Sequence, residues 1–416
     1  MAFRFVHTAD IHLDSPLKSL AMRDADLAAL VQTATRQTFR NIINLCLEEH
    51  VDALLIAGDL YDGDQTSMKT AAFLGAELRR LTDAGIHVCL IRGNHDAKSG
   101  ITKRLSLPDL VQTYSTRTAE VLDLPEKRVA IHGTSFPDRH VPESLLPRFA
   151  KPLPDRFNIG MLHTSPDGAE GHDVYAPAAT AELAAHGFDY WALGHIHKRQ
   201  VYRDHPAIVM PGIPQGRHVN EAGPKSVTLA QVDDGGTLTL DERFLSVAEF
   251  AQTPVDLSGI EEWGEAQDAI NVALDAASAA KKSNHLITRL LISGATPLAW
   301  RLRRDAELLE EQARQLAADT WIESLEIDCT APITRMDTAS GAIPELATLM
   351  QEIALKPEFQ REARLALDDL LKALPLAARD AFGADETKMA AIATTLGEAG
   401  AQDVLARLAA PSSVED

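Results

Sequence analysis

The chain alternates short apolar runs with stretches of helical period, and the runs stop abruptly at polar residues. Val51-Asp52-Ala53-Leu54-Leu55-Ile56-Ala57 is the clearest case. It is too short for a helix and apolar at all but one position, so it reads as a strand buried on both faces, ending at Gly58-Asp59. Runs of the same kind occupy 3–9, 87–92, 157–162 and 190–193. Helical spacing fills about 24–50, with Leu27, Leu30, Val31, Ile42, Ile43 and Leu45 on the buried side, and recurs around 66–84. That is βαβ alternation, the mark of a sheet covered by helices. From about 110 to 160, and again over 199–245, short runs separated by Pro and Gly predict a second set of strands, with Asp233-Asp234-Gly235-Gly236 as a hairpin turn. Two sheets face to face with helices outside accommodate both sets.

Near 250 the pattern changes. Strands at about 252–257, 285–294 and 321–329, alternating with helices at 261–281 and 303–318, predict a small α+β domain. Beyond about 340 the chain is rich in Ala and Leu at helical spacing, first through Leu346, Leu349, Met350 and Ile353, then through Leu365, Leu367, Leu370 and Leu371. At 416 residues the chain is too long for one ordinary core. The expected division is 1–248, 249–332 and a helical 333–416.

Charge sharpens that division. The formal net charge is −20, from 40 basic and 60 acidic residues. Residues 251–416 hold 28 acidic and 15 basic, a net of −13, while fourteen of the fifteen histidines precede residue 251. A free-standing basic nucleic-acid binder is thereby disfavoured; a nuclease whose metals or partner supply the positive charge is not. Cys46, Cys89 and Cys329 have no metal or disulfide spacing and read as reduced core residues. With a strand beginning at once and no apolar run long enough to span a bilayer, the expectation is a cytoplasmic protein without a membrane contact.

The polar residues that stop the five runs are metal ligands. They are Asp10 and His12, Asp59, Asn94, His163, and His195 with His197. Seven donors exceed the need of one ion. Two ions bridged by a carboxylate fit the count and form a clamp for phosphoester hydrolysis, and the mixture of carboxylate, amide and imidazole suits Mn²⁺. Asp59, on the central run, is the natural bridge. His195 and His197 flank Ile196, so an extended backbone would turn both to one side. His95 is placed to protonate the leaving oxygen, with Asp96 orienting it. His7, His87 and His132 lie within apolar runs and read as structural, whereas His140, His172 and His218 lie in loops within possible reach of substrate.

These residues, in this order, resemble the five motifs of calcineurin-like metallophosphoesterases: Asp10-Ile11-His12, Gly58-Asp59, Gly93-Asn94-His95-Asp96, His163 and Gly194-His195-Ile196-His197. The wider context, Ala9 through Leu17, Leu162-His163-Thr164-Ser165 and Pro214-Gln215-Gly216-Arg217-His218, is similar to the YhaO-type DNA repair exonucleases of the SbcD-like nuclease family. The resemblance implies an α/β, four-layer β-sandwich flanked by helices, a small α+β capping domain and a helical C-terminal tail. It also implies a dinuclear Mn²⁺ centre cutting DNA phosphodiesters. One ion would take Asp10, His12, Asp59 and His197; the other would take Asp59, Asn94, His163 and His195, with Arg217 and His218 toward substrate. The tail would bind an SMC-like ABC ATPase, and a homodimer is a further expectation. One departure stands out, since some relatives carry a histidine where this chain has Asp62. The alternative reading is a phosphodiesterase or phosphatase acting on a nucleotide or another small ester.

Overall fold

The computed structural model describes residues 2–15, 25–62, 67–98, 107–168, 175–317, 320–332, 342–373 and 386–409. It divides into two compact units, 1–251 with 280–287, and 252–279 with 288–416.

The first unit opens with β1 (Phe3–Thr8), α1 (Ala25–Glu48), β2 (Ala53–Ala57), α2 (Met68–Asp83), β3 (His87–Ile91) and β4 (Val111–Thr113). It continues through β5 (Glu120–Leu124), β6 (Val129–Gly133), β7 (Phe157–His163), α3 (Thr180–Ala185), β8 (Tyr190–Gly194), β9 (Gln200–Asp204) and β10 (Ala207–Met210), and ends with β11 (Ser226–Val232) and β12 (Leu238–Phe244). Two six-stranded sheets result, in the orders β12-β11-β1-β2-β3-β4 and β5-β6-β7-β8-β10-β9. Within them β1, β2 and β3 run parallel, as do β6, β7 and β8.

The alternation of side chains along β2 explains its uninterrupted apolar character. Leu54 and Ile56 turn outward to Phe39, Ile42, Leu74 and Leu78 of α1 and α2. Ala53, Leu55 and Ala57 turn inward, where they meet Ile131, Ile159, Met161 and Ala192 of the second sheet. The outer face of that sheet is covered in turn, Trp191, Leu193, Ile208 and Met210 packing with Phe136, Phe149, Leu183 and Phe188. Helices, sheet, sheet and outer cover give the four layers that the sequence leads one to expect. Because the parallel strands of both sheets carry their C-terminal ends together, the polar residues that terminate β1, β2, β3, β7 and β8 are collected at one edge of the sandwich.

The two sheets approach closely there. A Cβ on Gly194 would lie 2.0 Å from the carbonyl oxygen of Ala57 and 3.0 Å from the Ala9 Cβ, so only glycine fits at the end of β8.

A third sheet, in the order β13-β14-β15, is formed by β13 (Ala248–Asp256), β14 (His285–Ala295) and β15 (Thr320–Thr330), and the second unit holds it from Gln252 of β13 and Thr288 of β14 onward. Three helices, α4 (Trp263–Ala280), α5 (Ala299–Arg304) and α6 (Ala306–Leu316), share its core through Ile270, Leu274, Leu302 and Leu309, packed with Leu290, Ile292 and Ile322. One helix was expected at 303–318; the structure has two, α5 ending at Arg304 and α6 starting at Ala306, with Asp305 between them. The helical stretch belongs to the same compact unit, as α7 (Ala342–Ala354), α8 (Pro357–Ala373) and α9 (Glu386–Ala409). Leu367 of α8 packs with Met389 and Ala393 of α9. Among the described residues no helix is long and apolar enough to cross a membrane.

Candidate metal centre

The turns that follow β1, β2 and β8 are held in unusual conformations. Asp10, His12, Asp59 and His195 all have positive φ, at 51°, 46°, 51° and 110°, a region that side-chain-bearing residues adopt at a cost of about 1–3 kcal/mol each. The strain is held by a backbone ladder that continues past the strands. Asp10 N–H donates to Gly58 O, His12 N–H to Asp59 O and Leu13 N–H to Leu60 O. Two adjacent loops are thus zipped together, with their ligand-type side chains converging.

Asp10, His12 and His197 form one group whose donor atoms all lie within 4.8 Å of one another, and Asp10, Asp59 and His163 form another. In the first, His12 Nε2 and His197 Nε2 are 3.3 Å apart. In the second, His163 Nε2 is 3.0 Å from Asn94 Oδ1 and 3.4 Å from Asp59 Oδ2. The His195 ring lies beside that of His163, centroids 5.2 Å apart. All seven ligand-type residues read from the strand ends are therefore brought together. The reason expected for His195 and His197 differs: β8 ends at Gly194, and His195 turns through positive φ instead of continuing an extended strand.

Three of the four rings are oriented through their other nitrogen. His163 Nδ1–H donates to Ala57 O at 2.9 Å, His197 Nδ1–H to Glu221 Oε1 at 2.7 Å and His12 Nδ1–H to Asp62 Oδ1 at 2.7 Å. Such an acceptor fixes the tautomer and presents Nε2 as the ligand atom. The electrostatics call for cations. Asp10 and Asp59 are 0% and 1% exposed. Burial opposes a charge on His163, yet the Asp59 carboxylate beside it draws its pKa up to about 9.

Several sequence assignments change. Asp96 does not orient His95: its two oxygens accept the N–H groups of Leu60 and Gly93, so it braces the loops, and burial together with the Asp59 charge raises its pKa to about 7. The acceptor beside the His95 ring is Asp62, at 3.3 Å from Nδ1. Arg217 is not left open for substrate. Its backbone N–H and its guanidinium both bind Glu221, at 2.7 and 2.9 Å, and Nη2 lies 3.4 Å from His197 Nδ1. His218 is half exposed, 3.7 Å from the same glutamate. His140 stacks edge-on against Tyr175, whose ring in turn meets His195. His172, like Pro16 and Leu17, lies outside the described residues. His7 and His132 are buried and hydrogen-bonded, as structural residues would be. Glu221 was missed altogether; its one signal is a carboxylate four residues after Arg217 in a loop.

Comparison with known proteins agrees with this geometry. The calcineurin-like phosphoesterase family profile matches residues 3–199, and that of the middle domain of metallophosphoesterase YhaO matches 250–330. The chain is 32% identical to the uncharacterized metallophosphoesterase YhaO of Bacillus subtilis over 378 residues, 86% of this chain and 92% of that one. The chain belongs to the calcineurin-like metallophosphoesterases. It is also 29% identical over 210 residues to the DNA double-strand break repair protein Mre11 of Sulfurisphaera tokodaii, covering 48% of this chain and 50% of that protein. The Mre11 of Sulfolobus acidocaldarius gives 27% over 218 residues, 50% and 53% respectively. The chain thus spans about half the length of these Mre11 proteins.

As a calcineurin-like metallophosphoesterase, the chain is a phosphoester hydrolase of a family that uses a dinuclear divalent metal centre. The donor set fits: two buried carboxylates, an amide oxygen and four imidazoles converge, three of the imidazoles with supporting acceptors in place, and no thiolate is among them. When bound, such ions polarise a phosphoryl group and activate a water molecule.

Proposed function

We propose that the chain is a metal-dependent DNA nuclease, hydrolysing phosphodiesters with two Mn²⁺ ions. The observation that carries this reading is the convergence of all seven donors at one edge of the sandwich, within residues 3–199 that match the calcineurin-like phosphoesterase profile, in a chain that is also similar to Mre11 over about half its length. In this reading Asp10, His12 and His197 would hold one ion, Asn94, His163 and His195 the other, and Asp59 would be shared by both. Asp59 Oδ1 also accepts the backbone N–H of His95 at 2.9 Å, which ties the acid's position to the bridging carboxylate. The His95 side chain is 46% exposed, open enough to meet a leaving oxygen and protonate it. The loop strain at Asp10, His12, Asp59 and His195 keeps the donors preorganised, so little reorganisation accompanies binding.

The chain is taken to act in the cytoplasm in DNA repair, as a nuclease domain over 1–248, a capping domain over 249–332 and a partner-binding segment over 333–416. Exposed Leu349, Leu365, Leu370, Leu396 and Leu408 on the C-terminal helices support a protein partner there, an SMC-like ABC ATPase in this reading. The test is Mn²⁺-dependent cleavage of end-labelled linear DNA by wild type, Asp59→Asn and His95→Ala. Cleavage by wild type and a loss of at least about 100-fold in both variants supports the reading. Hydrolysis of small esters with DNA left intact, even beside the ATPase, replaces it with a phosphodiesterase acting on a nucleotide or another small ester.

A further inference from the structure

The net charge of −20 is unevenly spread, and one face of the first unit runs against it. The outward side of α1 from Thr33 to Asn44, together with that of α2 from Met68 to Arg80, carries Arg36, Arg40, Lys69, Arg79 and Arg80. Its acids are Glu77, which is buried, and Asp14, which reaches Arg36 from the turn after β1. Five positive charges thus meet two negative ones. Both helices run back from the edge where the ligand-type residues gather, so the acids Glu48 and Asp83, their last residues, lie at the far end.

The arginines are held in place. Arg36 binds both oxygens of Asp14, at 2.6 and 2.5 Å, two residues past His12. Arg40 Nε and Arg80 Nη1 share Glu77, at 3.1 and 2.6 Å, and Arg80 Nη2 donates to Asn44 Oδ1 at 2.7 Å. The Phe73 ring takes both Arg36 and Arg40, its centroid 5.2 and 5.5 Å from the two guanidinium carbons. Side chains ordered in advance lose little freedom when an anion arrives. Lys69 and Arg79 are exposed, and among the described residues neither meets an acid. A solvated helix face ordinarily pairs its charges, as Arg314 does with Glu310 on α6, and as Arg364 does with Asp368 and Lys372 with Asp369 on α8. This face leaves cations over.

A row of anions fits it. Arg36 and Arg40 are one turn apart, about 6 Å along the helix, and Asn44, where Arg80 is bound, is about 12 Å from Arg36. A nucleic-acid strand presents one phosphate per roughly 3.4 Å of its axis, so a stretch of that length offers three or four. We propose that the outward face of α1 and α2 binds the phosphate backbone of a nucleic-acid duplex whose scissile bond lies at the metal centre. The proposal rests on the reading of the chain as a nuclease and gives it a positive surface of its own. A second copy presenting the same face would set like charges together, which argues for an anionic occupant. An ester small enough to sit among the ligand-type residues gains nothing from this face, so it favours long substrates alone.

The experiment compares the full chain as wild type, as Lys69→Gln/Arg79→Gln, and as Arg117→Gln/Lys151→Gln, exposed cations elsewhere on the first unit whose loss changes the net charge equally. Binding of a labelled duplex of about 20 base pairs is read by fluorescence anisotropy in chelator, where nothing is cut, over a range of salt. Lys69→Gln/Arg79→Gln should bind about 10-fold more weakly, and its slope of log affinity against log salt concentration should fall by about 2. The Arg117/Lys151 pair should stay within about twofold of wild type. All three should hydrolyse bis-p-nitrophenyl phosphate in Mn²⁺ at one rate, which a misfolded variant would not. Equal losses of duplex affinity in the two double variants overturn the proposal, since net charge alone would then account for them. Unchanged duplex affinity in Lys69→Gln/Arg79→Gln, with loss of an oligomer that light scattering detects in wild type, also overturns it and gives the face to a second copy. A wild type that hydrolyses the small ester but neither binds nor cuts the duplex removes the nuclease reading and this surface with it. Undiminished duplex binding in Lys69→Gln/Arg79→Gln, beside a wild type that cuts DNA, removes the surface alone.

Discussion

At the residue scale, Glu221 does for His197 what Asp62 does for His12. Its carboxylate is 7% exposed; burial alone would raise its pKa, but the hydrogen bonds from His197 and Arg217 bring it well below the usual range. Glu221→Ala should lower divalent-cation affinity about 10- to 100-fold, read by titration calorimetry. Wild-type affinity in that variant would show that Glu221 does not set His197 up as a ligand. His7 supports a prediction of a different kind. It is buried between the Tyr190 hydroxyl and Leu193 O, and burial drives its pKa from 6.5 down to about 3. The unfolded chain takes up this proton below about pH 6.5 and the folded chain does not until about pH 3, so stability is fully present above 6.5 and is lost as pH falls through that window. The slope is about 1.4 kcal/mol per pH unit for one proton. Urea melts of His7→Gln at pH 5 and 7 should differ less than those of wild type; an equal difference sinks the assignment. The residues that converge at this edge were legible because strand ends announce themselves in sequence. Glu221 and Asp62 were not, since each acts through a turn whose course no periodicity encodes.

Among elements, those with continuous apolar runs were the readable ones. β2 and β8 are buried at every position, so their composition declares them. β9 is exposed at four of its five residues and carries no such signal, its pairing being settled by β10 beside it. The break at Asp305 was equally silent, because Arg304 and Asp305 are ordinary helix residues; in the structure Asp305 pairs with both Arg301 and Arg304 at the corner. Gly194 gives the sharpest test of how elements meet. The Ala57 carbonyl would lie 2.0 Å from an added methyl, and that atom is backbone that cannot swing away. Gly194→Ala should destabilise the chain by about 3 kcal/mol and weaken metal binding, because the separation of β2 and β8 sets the spacing of Asp59 and His195. Denaturant melts and Mn²⁺ titration check both; a variant that keeps wild-type stability and affinity refutes this account of the strand-end contact.

For the molecule as a whole, the ligand-type residues gathered at one edge should bear on stability as well as chemistry. The chain carries a net charge of −20, and the ligand edge of the first unit buries Asp10 and Asp59 among histidines. Cations at this edge bind the folded state and not the unfolded chain. At a concentration 100 times the dissociation constant they should add about 2.7 kcal/mol, raising the melting temperature by several degrees. Three thiols report where that stability resides. Cys46 projects from α1 into the core beneath it and Cys89 lies between the two sheets, while Cys329 lies in the core of the second unit, and burial pushes the Cys89 and Cys329 thiols up to about 12 and about 11. None should react while the chain is folded, so alkylation followed by peptide mapping reads opening directly. Mn²⁺ should slow labelling of Cys46 and Cys89 about 100-fold over the chelated protein, the factor that 2.7 kcal/mol implies when opening releases the ions. In Asp59→Asn the protection should shrink. Equal labelling of Cys46 and Cys89 with and without Mn²⁺ would show that the donors gathered at this edge do not hold ions tightly enough to stabilise the fold.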